Sequence, residues 1–162
     1  MQNPMHWLRA VLTRHANVTH NVIAVLARWS LAATFWQSGQ SKIEGFAVNL
    51  VQGEWVFGWP HWAPSTLALF RDEYQLPWIA PEGAAWMATL AEHALPVLLL
   101  LGCFTRWAAL GLLGMTWVIQ WLVYPQAYMV HGLWAVALLY LLVHGPGDVA
   151  LDAVGQRRQA TR

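Results

Sequence analysis

The chain has 162 residues, of which 57% are hydrophobic and 10% are charged, and its formal net charge is +1. Twelve tryptophans and a mean hydropathy of +0.38 are typical of a membrane protein and not of a soluble one, and the length suits one domain, residues 1–162. The near-neutral charge gives no reason to expect nucleic acid as a partner, and a single cysteine excludes an internal disulfide or a paired-thiol redox motif.

The N-terminal twenty residues are polar and carry Arg9 and Arg14, so no cleavable signal peptide is predicted. Met5, Leu8 and Leu12 have helical spacing. They predict either a helix lying along the cytoplasmic interface or a frayed tail.

Four apolar blocks follow, at about 22–41, 84–102, 107–123 and 127–144. A membrane-spanning helix needs about twenty such residues. The blocks therefore predict an all-α fold, an integral membrane four-helix bundle with short turns between its last three helices.

The only long connection covers about 44–83 and is predicted to lie on the outer side. Its segment 65–74 has apolar residues at helical spacing, which predicts a short interfacial helix ended by Pro77. Connections of this length often cover or form binding sites.

Basic residues set the predicted orientation in the membrane. With both termini cytoplasmic, the inner side carries most of the arginines and the outer side carries few basic residues. The inner group is Arg9, Arg14, Arg106, Arg157, Arg158 and Arg162, and the outer group is Lys42 and Arg71.

Three charged residues lie inside or at the mouth of the apolar blocks: Arg28, Lys42 and Glu92. Because charge at bilayer depth is costly, such residues normally face the protein interior and pair. The depths predict a pair between Glu92 and the guanidinium of Arg28, with Lys42 approaching from the outer side. This pair either has only the structural role of joining two helices, or it takes part in binding a substrate or transferring a proton.

A pocket that opens outward is predicted around Glu92, His131, Gln120 and Gln37, with Lys42 and His93 also among its residues. His93 points about 100° away from its neighbour Glu92, so the two cannot face one partner. In this hypothesis Glu92 exchanges protons, Arg28 holds its charge and His131 hydrogen-bonds a ligand carbonyl. The predicted aromatic walls are Trp36, Trp117, Trp121 and Trp134.

No definite cofactor is assigned from these residues. A quinone ring or another small organic ligand suits an aromatic wall with few polar groups. Haem is disfavoured because His93 and His131 differ in depth, and no spacing typical of a metal site is found.

The chain resembles the DoxX family of small bacterial membrane proteins. The resemblance covers most of the chain from Arg28 to Asp152. It is carried by these residues in this order: Arg28 with Gly39–Lys42, Leu69–Tyr74, Glu92 before Leu98–Arg106, Tyr124–Pro125, His131 with Trp134, Gly145–Gly147, and Leu151–Asp152.

The resemblance implies a four-helix inner-membrane protein associated with redox chemistry, because the related DoxD-type subunit belongs to thiosulfate:quinone oxidoreductase. It also implies a metal-stress role, since some members accompany copper-binding or modified peptides. Catalysis by this chain alone is not implied, so any enzymatic role is that of a subunit of a quinone-linked oxidoreductase.

The leading hypothesis is therefore a membrane subunit or accessory protein with an outer quinone-sized pocket. The alternative is a non-catalytic scaffold that anchors other membrane or periplasmic proteins at the lipid bilayer. A small-solute transporter is a third class, and it would need a homo-oligomer or a larger assembly to form a path.

Overall fold

The computed structural model describes the backbone of residues 4–49 and 53–160 and the side chains of residues 16–49 and 53–155. The chain is mostly helical, with one small sheet. Its elements are α1 (Pro4–Gln40), β1 (Ile43–Asn49), β2 (Glu54–Trp62), α2 (Pro64–Ala68) with a π-helical turn (Leu69–Tyr74), α3 (Pro81–Leu101), α4 (Thr105–Val118) with a π-helical turn (Ile119–Val123), a 3-10 turn (Pro125–Ala127), α5 (Tyr128–His144) and α6 (Leu151–Ala160).

Helices α1, α3, α4 and α5 share one apolar core. Large core side chains interlock with fully buried alanines on α1 and α4, and such small residues let helices approach closely. The largest of these core side chains are Leu31, Phe35, Leu99, Leu112, Leu138 and Leu141. We call the end of this core that carries β1 and β2 the hairpin end, and the opposite end the α6 end.

The outward faces of these four helices are apolar as well. Leu26 of α1, Leu90 of α3, Trp107 of α4 and Leu133 of α5 are between 61% and 73% exposed. Contiguous apolar surface on all sides is what a lipid-facing protein presents. Within the described residues, two segments are long and apolar enough to cross a membrane, Pro81–Leu101 and Pro125–His144.

Helices α1 and α4 are not among these two segments, and their composition and length explain why. α1 has 37 residues but carries several polar groups, whereas the α-helical part of α4 has 14 residues before its π-helical turn. The predicted helix from the N-terminus is present as the first part of α1, which begins at Pro4. The side chains of Arg9 and Arg14, like those of Arg157, Arg158 and Arg162, lie outside the described residues.

The prediction of an all-α fold is wrong between Lys42 and Ala63, where the chain forms an antiparallel β-hairpin. Phe46 pairs with Phe57 and Val48 with Trp55, and a bulge at Gly45 shifts the register. β-branched and aromatic residues favour a pleated strand. Alternating apolar residues on both sides of Gly53 were a usable sequence signal for the two strands.

The predicted short helix after the hairpin is present as α2 and its π-helical turn. Pro64 occupies the first turn of α2, where its missing N–H has no cost. The helical turn ends two residues earlier than the predicted stop at Pro77, because Gln75 adopts the left-handed conformation with φ 42°. Phe70 of this segment packs on Ala84 and Ala85 of α3, which fixes the segment over the hairpin end of the core.

Candidate functional site

Lys42, the last residue before β1, links three elements at the hairpin end. Its backbone carbonyl accepts hydrogen bonds from the Ala63 amide (3.0 Å) and the Thr66 hydroxyl (2.8 Å), which tie the base of the hairpin to the start of α2. Its side chain turns inward and only 4% of the residue is exposed. The backbone of Lys42 thus organises the outer segments while its ammonium enters the core.

The ammonium of Lys42 meets the carboxylate of Glu92 on α3. Lys42 Nζ lies 2.7 Å from Glu92 Oε2, and both side chains are 5% exposed. Ser38 completes the group: its hydroxyl donates to Glu92 Oε1 at 3.0 Å, and its carbonyl accepts from Lys42 Nζ at 3.0 Å. A buried carboxylate needs a cation and hydrogen bonds to stay charged, and this arrangement supplies both.

This ion pair borders a cavity of about 420 Å³. The cavity lies between α1, α3, α4, α5 and the segment that includes Phe70 and Tyr74. Its walls are mainly aliphatic and aromatic, and its few polar side chains are widely spread. The polar group consists of Thr34, Ser38, Lys42, Tyr74, Glu92, Tyr124 and His131, and the apolar group includes Met87, Ala88, Met115, Val118, Ile119 and Trp134.

His131 of α5 contributes a second polar wall to the same cavity. Its Nδ1 lies 2.7 Å from Gln120 Oε1, and its ring is 5.1 Å from the ring of Trp134. Gln120 in turn donates to the Pro125 carbonyl at 2.7 Å. His131 and Trp134 line the cavity, and Gln120 lies behind His131, where it holds the imidazole in place.

Two tyrosines close the cavity toward the hairpin end. Tyr74 packs edge-to-face on Tyr124 with ring centroids 5.7 Å apart, and the Tyr124 hydroxyl donates to the Glu73 carboxylate. That hydrogen bond favours the neutral phenol and raises the pKa of Tyr124 far above its ordinary value. Burial is the main cause that raises the pKa of Tyr74. Both residues therefore present neutral hydroxyl groups.

His93 belongs to a separate hydrogen-bond chain that fastens the hairpin to α1 and α3. The Val48 amide donates to Gln40 Oε1 at 2.8 Å, Gln40 Nε2 lies 3.0 Å from His93 Nε2, and His93 Nδ1 lies 2.7 Å from the Thr89 carbonyl. Both nitrogens of His93 are thus engaged. Gly39 allows this approach, because a Cβ there would lie 2.8 Å from the ring of His93.

The predicted contact between Arg28 and Glu92 is not formed. Arg28 turns toward the α6 end, where its Nε donates to the Leu99 carbonyl (2.7 Å) and its Nη2 to the Leu100 carbonyl (2.7 Å). Its Nη1 donates to the carbonyls of Val149 (2.6 Å) and Pro146 (3.2 Å). The last turn of a helix leaves carbonyls without partners, and the guanidinium satisfies those of α3.

Asp152 of α6 completes this clamp at the α6 end. Its two carboxylate oxygens accept from the amides of Phe104 and Thr105, each at 2.9 Å, and so cap the start of α4. Its negative charge also acts on Arg28. Gly102 makes room for the clamp, since it has φ 66° and a Cβ there would lie 2.8 Å from Arg28 Nη2.

Three other predicted pocket residues lie outside the cavity. Trp117 and Trp121 are 66% and 62% exposed on the outer face of α4 and its π-helical turn, and Gln37 is exposed on α1. Trp36, another predicted wall, donates its indole N–H to the Val48 carbonyl at 2.9 Å. The prediction grouped these residues only by their matching depth in the membrane, because the sequence does not give the rotation of each helix about its axis.

Ser38, Tyr74 and Tyr124 were missed as site residues. Ser38 precedes Lys42 by four positions, a spacing that places both on one helix face, so the periodicity of α1 contained that signal. The two tyrosines meet only because the segment 64–74 folds back over the core, which no local pattern predicts. Within the described residues, no group of three or more His, Cys, Asp or Glu side chains could hold a metal ion.

A comparison with protein families gives one match, in which the DoxX family model covers residues 23–125. That stretch includes Arg28, the hairpin and the Lys42–Glu92 pair, and it ends before His131. No curated protein and no solved structure matches the chain. Because the matched region is well over half of the 162 residues, the chain belongs to the DoxX family.

Proposed function

We propose that this protein is a multi-pass subunit or accessory protein of the bacterial inner membrane that binds a quinone-sized organic ligand in the cavity beside Lys42 and Glu92. It serves redox- or metal-stress-linked chemistry within a larger assembly. The observation that carries the proposal is the coincidence of a 420 Å³ apolar cavity with a buried ion pair at its wall. Ligand sites combine an apolar enclosure with a few placed polar groups.

The membrane arrangement in this proposal is one domain with four spans, both termini in the cytoplasm and the hairpin end outside. α1 and α4 are included because their outward faces are as apolar as those of α3 and α5, with Leu26 61% and Trp107 71% exposed. The excess of arginine near the termini and at Arg106 supports this orientation.

The roles of the site residues follow from the contacts. Lys42 neutralises Glu92, so the cavity accepts an uncharged ligand without leaving a buried charge unpaired. Ser38, Lys42 and Glu92 form a hydrogen-bonded polar group at one wall, and His131 supplies a polar atom at another. Glu92 is the group that would exchange a proton with the ligand, because it is the only carboxylate among the residues that line the cavity.

Two helical glycines allow a matched test. A Cβ at Gly114 or at Gly132 would meet nothing within 4 Å, but only Gly114 lines the cavity. We expect Gly114→Leu to fill the cavity and weaken binding of duroquinone by about tenfold or more, whereas Gly132→Leu binds like the parent. Equilibrium dialysis of the purified proteins in detergent measures this. Equal uptake by all three proteins would refute a ligand site in the cavity.

The runner-up function is a scaffold, and the hairpin is the observation that favours it. Phe57 and Trp59 on one face of β2 are 76% and 88% exposed. Strand β1 contacts α1 through Val48, and β2 lies on the other side of β1. Exposed aromatics and a free strand edge suit a protein partner. A stoichiometric partner that is lost when both aromatics become serine, together with no quinone binding, would favour the scaffold.

A further inference from the structure

His131 is held by a hydrogen-bond chain that defines what its free nitrogen can do. The chain runs from the Pro125 carbonyl to Gln120 Nε2 (2.7 Å), and from Gln120 Oε1 to His131 Nδ1 (2.7 Å). His131 is 6% exposed, and its ring lines the 420 Å³ cavity. None of the described residues forms a hydrogen bond with His131 Nε2.

The direction of each hydrogen bond follows from its acceptor. Proline has no N–H, so Pro125 offers only a carbonyl and Gln120 must donate to it through its amide nitrogen. The amide oxygen of Gln120 then faces His131 and can only accept, so Nδ1 of the imidazole must carry a proton. In the neutral ring, a protonated Nδ1 leaves Nε2 as a lone-pair acceptor.

The surroundings of the ring favour the neutral form. No carboxylate among the described residues lies within ion-pair distance of His131, and the ring stacks obliquely against Trp134. An imidazolium without a nearby anion is costly in such an apolar setting. Nε2 is consequently an acceptor that needs a donor from the cavity.

We propose that the cavity binds an apolar ligand in its hydroxyl form, with His131 Nε2 accepting the ligand O–H and Gln120 as the positioning residue. This inference rests on the proposed function and deepens it. It replaces the ligand carbonyl expected from the sequence by a phenol or alcohol hydroxyl, because a carbonyl would place two acceptors face to face.

Duroquinol and duroquinone provide a size-matched pair of probes that differ in two hydroxyl hydrogens. Under anaerobic conditions we expect the parent protein to bind duroquinol about tenfold or more tightly than duroquinone, the range that an unpaired buried acceptor costs. His131→Phe and Gln120→Leu should remove this preference. Gln120→Glu should reverse it, because a carboxylate beside Nδ1 stabilises the imidazolium, whose Nε2–H donates to a carbonyl, and this reversal separates positioning from loss of the fold.

The outcomes distinguish the two proposals. Equal affinities for the two probes in the parent, both weakened by Gly114→Leu, would overturn the hydroxyl preference and leave the ligand site standing. A preference that survives Gln120→Leu and His131→Phe would overturn the role of this hydrogen-bond chain. If neither probe binds saturably, the proposed function and the inference are both refuted.

Discussion

The two ends of the helical core each bury a cation, and the two cations have different surroundings. At the α6 end Arg28 donates to four backbone carbonyls. At the hairpin end Lys42 bonds one carboxylate and one serine, and its side chain borders a cavity of about 420 Å³. Burial of charge alone therefore does not place a residue at a cavity, because Lys42 lines this one and Arg28 is not among its lining residues.

The difference follows from the chemistry of the two side chains. The planar guanidinium has five donors, which suits the ring of carbonyls left by the last turn of α3 and the Pro146–Val149 turn. The ammonium of Lys42 is a compact charge that pairs with Glu92 and Ser38. The first arrangement joins elements far apart in sequence, and the second places an ion pair at a cavity wall.

The largest expected effect comes from removing the clamp at the α6 end. Arg28→Met removes a buried guanidinium with its hydrogen bonds to four carbonyls, and we expect the free energy of unfolding to fall by about 4–6 kcal/mol. Denaturant unfolding in detergent measures the change. The exposed Arg71, paired with Glu82, is the matched control, and Arg71→Met should cost less than about 1 kcal/mol. Similar losses for both variants would show that the clamp is unimportant.

A smaller effect is expected at the hairpin end, where the pair can be removed together. Glu92→Leu leaves the Lys42 ammonium without its anion and should cost about 3 kcal/mol. Combining Lys42→Met with Glu92→Leu should recover most of that loss, since apolar replacements of a buried pair are often tolerated. A double-mutant cycle of unfolding free energies measures the coupling. Strictly additive losses would mean that the two residues do not interact.

The smallest effect is a pH dependence at the tyrosine contact above the cavity. The hydrogen bond to Glu73 raises the pKa of Tyr124 in the folded protein. Its stabilising contribution is complete below the ordinary tyrosine pKa of about 10 and is lost as the pH rises above that value, because the unfolded chain then releases the proton first. Stability measured from pH 8 to 11 should fall less steeply in Tyr124→Phe. Tyr128→Phe, which removes a 65% exposed side chain, should retain the parent slope.

Sequence reasoning reached the main features of the site but not its partners. It predicted that Glu92 needs a buried cation and that His131 and Trp134 lie on the same cavity, and the structure brings these residues to one cavity. The sequence did not show whether Arg28 or Lys42 pairs with Glu92. The answer depends on α6, which returns to the core and supplies Asp152 as a capping carboxylate. No periodicity within a single helix reports such a long-range contact.

The hairpin and the helix rotations were the other features that the sequence did not reveal. The depth of a residue along a helix follows from its number, but the direction of its side chain around the helix axis depends on packing. Trp117 and Trp121 were therefore assigned to the cavity, whereas they lie on the outer surface. The hairpin depends on Gln40 and Trp36, which hydrogen-bond Val48 and so satisfy the outer edge of β1. Those contacts connect residues 8 and 12 positions apart across a turn, beyond local sequence patterns.

The most direct test of the contrast between the two ends is photolabelling with a light-activated short-chain quinone, followed by peptide mapping. The account predicts that labels concentrate on cavity residues such as Met87 and Met115, compete with unlabelled duroquinone and disappear in Gly114→Leu. Labels on the polar residues at the α6 end, or spread over the exposed faces of Trp117 and Trp121 without competition, would contradict it.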